Sequence, residues 1–208
     1  MHHLRPALVL IVLFTLLTGI ALPLAFVGIG QAAFPFQANG SLIERDGHVV
    51  GSALLGQQFA ADGYFHPRPS ATTEPDPNDS TKTVPVPYAA DSSGASNYGA
   101  TSQALIDRVK ADVAELTKTT GQTIVPADAV TTSASGLDPD ISPANAESQV
   151  ARVAEARKVP AETVRRLVDA QTKGRLFGFV GEPRVNVLAL NLALDASVPA
   201  ATPTAAAQ

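Results

Sequence analysis

The residues best suited to chemistry lie in the stretch 129–142, AVTTSASGLDPDIS. Four Ser or Thr hydroxyls precede Gly136, and two carboxylates, Asp138 and Asp140, flank a proline. Backbone N–H groups and the start of the following helix could receive an anion such as a phosphate, and paired Asp side chains could hold calcium. The twelve-residue calcium loop, with Gly at position six and Glu at position twelve, is absent. Turn formation and helix capping are therefore the preferred roles of both Asp residues.

Three further polar residues are candidates for contact with a partner. Arg68 lies between two prolines in YFHPRPS (64–70), which impose an extended backbone and hold the guanidinium in place. It either meets an acidic or carbonyl-rich partner or pairs within its own fold, and the second interpretation is slightly preferred. Ser96 and Asn97 belong to SSGASNYG (92–99), where small residues could cradle an ion but ordinarily form a tight turn.

The composition excludes several classes of site. The chain has no cysteine, which rules out disulfides, thiolate metal ligands and Cys nucleophiles. His48 and His66 show no metal-ligand spacing, and no metal site is predicted. The net charge of −4 leaves no basic footprint, which argues against nucleic acid and anionic lipid headgroups as partners. Without a G-x-S-x-G motif or a nucleophile beside a base, no hydrolase site can be assigned.

The elements that must position these residues begin with an apolar N-terminal stretch. No Asp, Glu, Lys or Arg occurs between Arg5 and Glu44. At about 1.5 Å per residue, a helix over 6–29 covers roughly 36 Å, enough to cross a hydrocarbon core of about 30 Å. A cleaved signal peptide is the alternative, but its apolar core is usually only about 7–15 residues long. The sequence therefore predicts a transmembrane helix over 6–30, kinked but unbroken near Pro23.

Charge predicts the orientation of that helix. Arg5 and the terminal amine precede it, whereas no basic residue follows it until Arg45. By the positive-inside rule, residues 1–5 are cytoplasmic and a single domain over 31–195 lies outside the plasma (inner) membrane. Phe34 and Phe36 suit the membrane interface or a plain linker. The Ala, Pro and Thr tail over 196–208 is predicted to be disordered.

Hydrophobic periodicity predicts an α+β domain of about three helices against a small sheet. A hairpin is expected around Asp46-Gly47 and a long mobile loop over 71–91. Helices are expected over 101–121, 143–158 and 160–174. Strands are expected at 41–45, 48–54, 123–128 and 184–195, the last from alternating Leu residues.

Several sequence blocks together resemble one family, the C subunit of the Kdp potassium-transporting ATPase. They occur in that family's order and run from the apolar stretch to Asp195. The blocks are GSALLGQQF (51–59), YFHPRPSA (64–71), SSGASNYG (92–99), VTTSASGLDPDISPANA (130–146), RVAEAR (152–157) and GEPRVNVLALNLALD (181–195). The chain departs from it at a longer polar insert around 74–86 and at Asp140, where many members have histidine, which argues against a role for that side chain.

The resemblance implies an accessory, non-catalytic subunit of a membrane complex. A channel-like subunit would carry K⁺ and a P-type ATPase subunit would hydrolyse ATP, since this chain has no D-K-T-G-T, P-loop or T-V-G-Y-G motif. A family-level proposal makes the subunit a catalytic chaperone that raises the ATP affinity of the ATPase subunit. It assigns nucleotide contact to the SASGLD segment and the next helix, here to Ser135, Gly136, Leu137, Asp138 and Gln149.

Orientation and nucleotide contact disagree, because ATP is cytoplasmic and the charge rule places the domain outside. Within the same complex, the domain could instead cap the ion entrance, with the loops over 64–99 at the channel mouth. A free-standing exported binding protein or hydrolase is the alternative from another functional class. An accessory subunit should purify with its complex, whereas an independent protein should not.

Overall fold

A computed structural model describes residues 3–198, which form two compact units, one ending at Ser52 and the other beginning at Ala53. The first unit contains α1 (Leu4–Leu16), α2 (Leu22–Ala33), α3 (Pro35–Ala38), β1 (Leu42–Arg45) and β2 (His48–Ser52). The second contains β3 (Thr73–Asp76), β4 (Asp79–Pro85), α4 (Gln103–Thr120), α5 (Ala127–Val130), β5 (Asp140–Ile141), α6 (Pro143–Arg157), α7 (Ala161–Gln171), β6 (Thr172–Lys173), β7 (Arg184–Asn186) and α8 (Val187–Ser197). The α+β prediction is confirmed.

The N-terminal prediction of one long apolar helix is also confirmed. A π-helical turn, Leu17–Ala21, joins α1 and α2 into one helix over Leu4–Ala33. The helix continues through Pro23, which has no N–H to donate. None of its side chains is buried. At about 1.5 Å per residue its 30 residues extend about 45 Å, so the helix is long and apolar enough to cross a membrane.

The first hairpin follows from its turn residues. Strand β1 pairs antiparallel with β2, and the connection is Asp46-Gly47. Asp46 has φ +52° and Gly47 φ +78°, the left-handed backbone that a two-residue hairpin turn requires. The predicted hairpin is therefore confirmed at its predicted turn.

The hydrophobic core of the second unit lies among α6, α7 and α8 and a three-stranded sheet of order β5-β7-β6. Helix α6 begins as its sequence predicts: the Ser142 side chain accepts a hydrogen bond from the Asn145 N–H, and Pro143 occupies the first turn. The helical period places Ala146, Val150, Val153 and Ala154 on one face of α6, and all four are buried. The sequence also predicts Val164, Leu167 and Val168 of α7 to face inward; Val164 and Val168 are buried and Leu167 is half-buried against the core.

The prediction of a strand over 184–195 is wrong beyond its first three residues. Strand β7 ends at Asn186, whose side chain accepts a hydrogen bond from the Ala189 N–H and so starts α8. Nearly every position from 187 to 194 is small or apolar, so the pattern that alternates as a strand also fills one face of a helix. The helical register buries Val187, Leu190 and Leu194 in the core.

Two other local predictions are wrong. Residues 71–91 contain the antiparallel hairpin β3–β4 in place of an irregular loop. Because this is a two-stranded ribbon, both strands are edges, and such strands tolerate Pro75. No strand forms at 123–128, where the chain bends and enters α5. Of the predicted tail, residues 199–208 lie outside the described residues, and α8 extends to Ser197.

Candidate functional site

The extended segment 64–72 is the feature on which the second unit's polar side chains converge. Two amides bind its backbone as a strand partner would. Asn191 Oδ1 accepts from the Phe65 N–H at 2.8 Å and its Nδ2 donates to the Phe65 carbonyl at 3.0 Å. Gln149 Oε1 accepts from the His66 N–H at 2.7 Å and its Nε2 donates to the His66 carbonyl at 3.1 Å. Buried backbone groups thus find partners without a sheet. We call residues 64–72 the clamped segment.

Gln149 also lies at the wall of a cleft of about 350 Å³ between the clamped segment, α4 and α6. Its lining is apolar at Pro67, Pro69 and Leu116 and polar at His66, Gln149 and Arg152. Asp112 and Glu115 of α4 close the opposite side. This volume is within the range of small-molecule sites, whose walls are mostly apolar with a few polar groups.

The surroundings of His66 and Arg152 disfavour the protonated form of both side chains. Burial lowers the pKa of His66, and the nearby Arg152 guanidinium lowers this pKa further. Burial also lowers the pKa of Arg152. Arg152 donates to the carbonyls of Asp62 and Tyr64 at 2.6 and 3.0 Å and to Gln149 Oε1 at 2.8 Å. Both causes disfavour protonation of the imidazole, and the neighbouring guanidinium donates to uncharged acceptors.

The SASGLD loop packs against the other side of the clamped segment. Asp138 pairs with Arg68 at 3.0 Å, and the Ser70 hydroxyl donates to the Gly136 carbonyl at 2.8 Å. Gly136 has φ +69°, and a Cβ there would lie 2.5 Å from Thr72 Cγ2 and 2.6 Å from the Gly94 carbonyl oxygen. Only glycine fits this position without a shift. Arg68 thus pairs within its own fold, the interpretation that the sequence slightly preferred.

Further hydrogen bonds, within the loop and from the neighbouring Gly94 and Gly56, occupy several of its other polar groups. Ser135 accepts from the Leu137 N–H through its hydroxyl and from the Gly94 N–H through its carbonyl. Leu137 is buried, and its carbonyl accepts from the Gly56 N–H. Asp138 Oδ1 accepts from the Asp140 N–H, which is a turn-forming contact. Burial and the Asp138 charge raise the pKa of Tyr88, whose hydroxyl donates to the Arg68 carbonyl at 2.7 Å.

The five residues associated with nucleotide by resemblance do not share one cavity. Gln149 lines the cleft, whereas Asp138 lines a second, more open hollow with Arg68, Asp140 and Arg184. Asp140 pairs with Arg184 at 3.0 Å, so this residue, at which the chain departs from the resemblance, links β5 to β7. The two cavities lie on different faces of the clamped segment, since Pro67 and Pro69 line the first and Arg68, which lies between them in an extended chain, lines the second.

Two candidate partner contacts differ in their surroundings. Ser96 is half-buried, and its hydroxyl lies 3.4 Å from that of Thr132. Asn97 is exposed with φ +52°, and its side chain donates to the Ala95 carbonyl, as in a tight turn. Among residues 3–198, no group of three or more His, Asp or Glu side chains is arranged to hold a metal ion.

Sequence reasoning missed two side chains that organise the site. Arg157 is 1 % exposed, pairs with Asp195 at 2.8 Å and lies over the Tyr64 ring, 4.6 Å from its centroid. Asn191 is buried and holds Phe65. An asparagine within an otherwise apolar run was the available signal for Asn191, because a buried amide needs specific partners.

Comparison with known proteins decides the family. The family model described as "KdpC: K+-transporting ATPase, c chain" matches residues 4–196. The potassium-transporting ATPase KdpC subunit of Bradyrhizobium diazoefficiens is 61 % identical over 195 residues, covering 94 % of this chain and 97 % of that protein. The KdpC subunit of Methylobacterium nodulans is 62 % identical over 195 residues, with the same coverage. That of Rhodopseudomonas palustris strain BisB18 is 60 % identical over 197 residues, covering 95 % and 99 %.

The chain belongs to the KdpC family. The resemblance drawn from the six sequence blocks is therefore confirmed. The matched region of this KdpC chain includes the long apolar helix as well as the clamped segment, the SASGLD loop and α8. A KdpC chain is a subunit of a potassium-transporting ATPase, so partner subunits are implied. One apolar helix of membrane-spanning length is consistent with a membrane location.

Proposed function

We propose that the chain is the accessory C subunit of a high-affinity, ATP-driven potassium uptake complex. It works with a channel-like subunit that carries K⁺ and a P-type subunit that hydrolyses ATP, and supports their assembly. A single span holds it in the plasma membrane, with residues 1–5 in the cytoplasm and 31–195 outside. The observation that carries the orientation is the charge pattern: Arg5 precedes the exposed apolar helix, and no charged residue follows until Glu44.

On the outer side, the role best supported is a cap over the ion entrance of the channel-like subunit. Both ends of the Gln149 amide are already bonded to the clamped segment, so this side chain supports the fold. The β3–β4 hairpin carries Glu74, Asp76 and Asp79 against Lys82. A surplus of carboxylates near an entrance raises the local concentration of cations.

The second candidate function is the catalytic chaperone that raises the ATP affinity of the ATPase subunit. The observation in its favour is the cleft, where Gln149 and Arg152 line about 350 Å³ beside apolar Pro67 and Leu116. Such a cleft could receive part of a nucleotide shared with the ATPase subunit. This function requires access to the cytoplasmic side, so orientation separates the two candidates.

Orientation can be measured directly, because the chain contains no cysteine. We would introduce single cysteines by His3→Cys before the apolar helix and by Ala111→Cys on the exposed face of α4. A membrane-impermeant maleimide should label Ala111→Cys in intact cells and His3→Cys only after permeabilisation. The reverse pattern would place the domain in the cytoplasm and favour the chaperone over the cap.

The two roles also differ in the kinetics of the assembled complex. If the domain is a cap, the double variant Glu74→Gln with Asp76→Asn should raise the K⁺ concentration that gives half-maximal ATPase activity. The ATP concentration that gives half-maximal activity should stay unchanged. If the chain is a catalytic chaperone, Gln149→Ala should raise the ATP concentration that gives half-maximal ATPase activity. Asn191→Ala is the matched control, because it removes the amide that binds the neighbouring Phe65 backbone, and Asn191 does not line the cleft. An equal ATP effect of both variants would mean that Gln149 acts through the fold.

A further inference from the structure

The loop between β6 and β7 exposes an unusual amount of apolar surface. Its sequence over 174–183 is GRLFGFVGEP. Phe177 is 81 % exposed and Phe179 76 %, and Leu176 and Val180 beside them are also exposed. Soluble surfaces carry scattered apolar side chains, but a contiguous cluster of this kind ordinarily marks an interaction site. We call residues 176–180 the apolar tip.

The apolar tip is an ordered turn. The N–H groups of Leu176 and Val180 donate to each other's carbonyls at 2.9 and 3.0 Å. The Gly178 N–H donates to the Arg175 carbonyl and the Phe179 N–H to the Leu176 carbonyl. Four backbone donors are thus satisfied inside the turn itself. Pairing of these N–H groups is needed for entry into a bilayer, because transfer of an unpaired N–H into hydrocarbon costs several kcal/mol of free energy.

The side chains of the tip favour lipid over a protein partner. From Leu176 to Gly181 no side chain carries a hydrogen-bonding group. Protein interfaces are also enriched in aromatic residues, Phe included, but they normally combine apolar contacts with about one hydrogen bond per 100–200 Å². A purely apolar turn in which four of the five backbone N–H groups, all but that of Phe177, are bonded internally comes closer to the requirements of a bilayer.

The charged residues that flank the tip, which form its base, also favour contact with lipid. Residues 53–208 contain 13 Lys or Arg against 17 Asp or Glu, yet residues 172–184 contain three cations, Lys173, Arg175 and Arg184, against Glu182 alone. Arg175 pairs with Glu182 at 2.6 Å, and Arg184 with Asp140 at 3.0 Å. With Asp140 counted, the three cations face two carboxylates, so both arginines are paired and Lys173 alone is left over at the base. This single excess cation has the sign that the phosphates of lipid headgroups attract.

We propose that the apolar tip inserts into the interfacial region of the bilayer and gives the domain a second membrane contact. Phe177 and Phe179 enter the acyl boundary, and the cations at the base lie at headgroup level. This inference rests on the proposed membrane anchorage of the chain, because a tether confines the domain to the bilayer surface and raises the effective concentration of the second contact.

The chain offers a clean spectroscopic test because it contains no tryptophan. Three single-tryptophan variants of the full chain would be reconstituted in phosphatidylethanolamine and phosphatidylglycerol vesicles with brominated acyl chains, which quench tryptophan in the bilayer. Phe177→Trp reports on the tip and Phe26→Trp on the anchor. Ile124→Trp is the matched control, since Ile124 is 85 % exposed but lies outside the tip.

The expected result is loss of emission from Phe177→Trp and Phe26→Trp but not from Ile124→Trp, with a blue shift of the Phe177→Trp spectrum. Quenching of Phe26→Trp alone would overturn the tip contact and leave the anchor intact. Quenching of neither would overturn the anchor and the tip together. Equal quenching of Ile124→Trp and Phe177→Trp would indicate adsorption of the whole domain and would also overturn the proposal.

Discussion

The clamped segment and the apolar tip reverse the ordinary distribution of side chains. The clamped segment and the loops around it are rich in polar groups, yet these groups are largely enclosed. Asn191 is buried against the segment's backbone, and Arg157 is buried against the Tyr64 ring and the adjoining Gly63 carbonyl. The tip carries Phe177 and Phe179, yet leaves them in solvent. Buried polar residues thus hold the chain beside the hydrophobic core of the second unit, and apolar residues form part of its surface.

This difference separates the residues whose presence is accounted for by folding from those whose presence is not. Asn191, Gln149 and Arg157 each bond to backbone groups that would otherwise lack a partner, and such groups cost about 1–3 kcal/mol when buried and unpaired. Folding alone is therefore a sufficient reason for Asn191, Arg157 and Gln149. No such reason exists for the exposed tip, since side chains left in solvent contribute little to folding. An explanation of the tip requires a second surface.

The largest expected effect comes from Arg157→Ala. Its guanidinium donates to the carbonyls of Gly63 and Val198 and to Asp195 Oδ1. Removing one member of a buried ion pair typically costs about 3–5 kcal/mol. We expect a loss of that order in the free energy of unfolding, measured by urea denaturation. Arg166→Ala, at an exposed position on the adjacent helix, should change it by less than about 0.5 kcal/mol. Equal effects would show that the buried network adds nothing.

The next effect is that of Asn191→Ala. The Phe65 N–H and carbonyl both lose their side-chain partner in a buried position. We expect a loss of roughly 2–3 kcal/mol, based on the cost of unpaired buried groups. Asn78→Ala, which removes an exposed amide, is the control. Hydrogen exchange of the Phe65 amide should accelerate strongly in Asn191→Ala. Unchanged protection there would mean that the amide clamp is not what holds the segment.

Local rules predicted the elements whose signals lie within a few residues. Asp46-Gly47 specifies its hairpin turn, and Ser142-Pro143 specifies a helix start, because the side chains and φ angles involved are adjacent in sequence. Gly121 likewise ends α4 in a left-handed conformation. These predictions needed no knowledge of tertiary contacts.

The predictions that failed or stayed open depended on tertiary contacts. The run 187–194 satisfies both a strand and a helix period, and the Asn186 cap together with core packing decides for the helix. The pairing of Arg68 with Asp138, 70 residues away, was one of two open interpretations. The resemblance selected the SASGLD segment and Gln149, but it could not indicate that they lie on different faces of the clamped segment.

A smaller effect should appear as a pH dependence centred on His66. Its pKa in the folded chain is lowered by burial and by Arg152, so the unfolded chain binds a proton more readily. The free energy of unfolding should therefore be at its full value above the unfolded pKa of about 6.5 and decrease as the pH falls toward the folded pKa. His66→Gln should flatten this part of the profile. A profile that is the same in both proteins would exclude His66 as the source.

The smallest expected effect on stability is that of the tip, where Phe177→Ser should change the free energy of unfolding by less than about 0.5 kcal/mol in detergent. The reason is that an 81 % exposed side chain loses few contacts on truncation. Membrane attachment of the domain should nevertheless weaken, measured as increased mobility of a spin label at Ala111→Cys in vesicles. A stability loss near that of Asn191→Ala would show that the tip packs against its own domain. It would then resemble the clamped segment, and the contrast between the two regions would be lost.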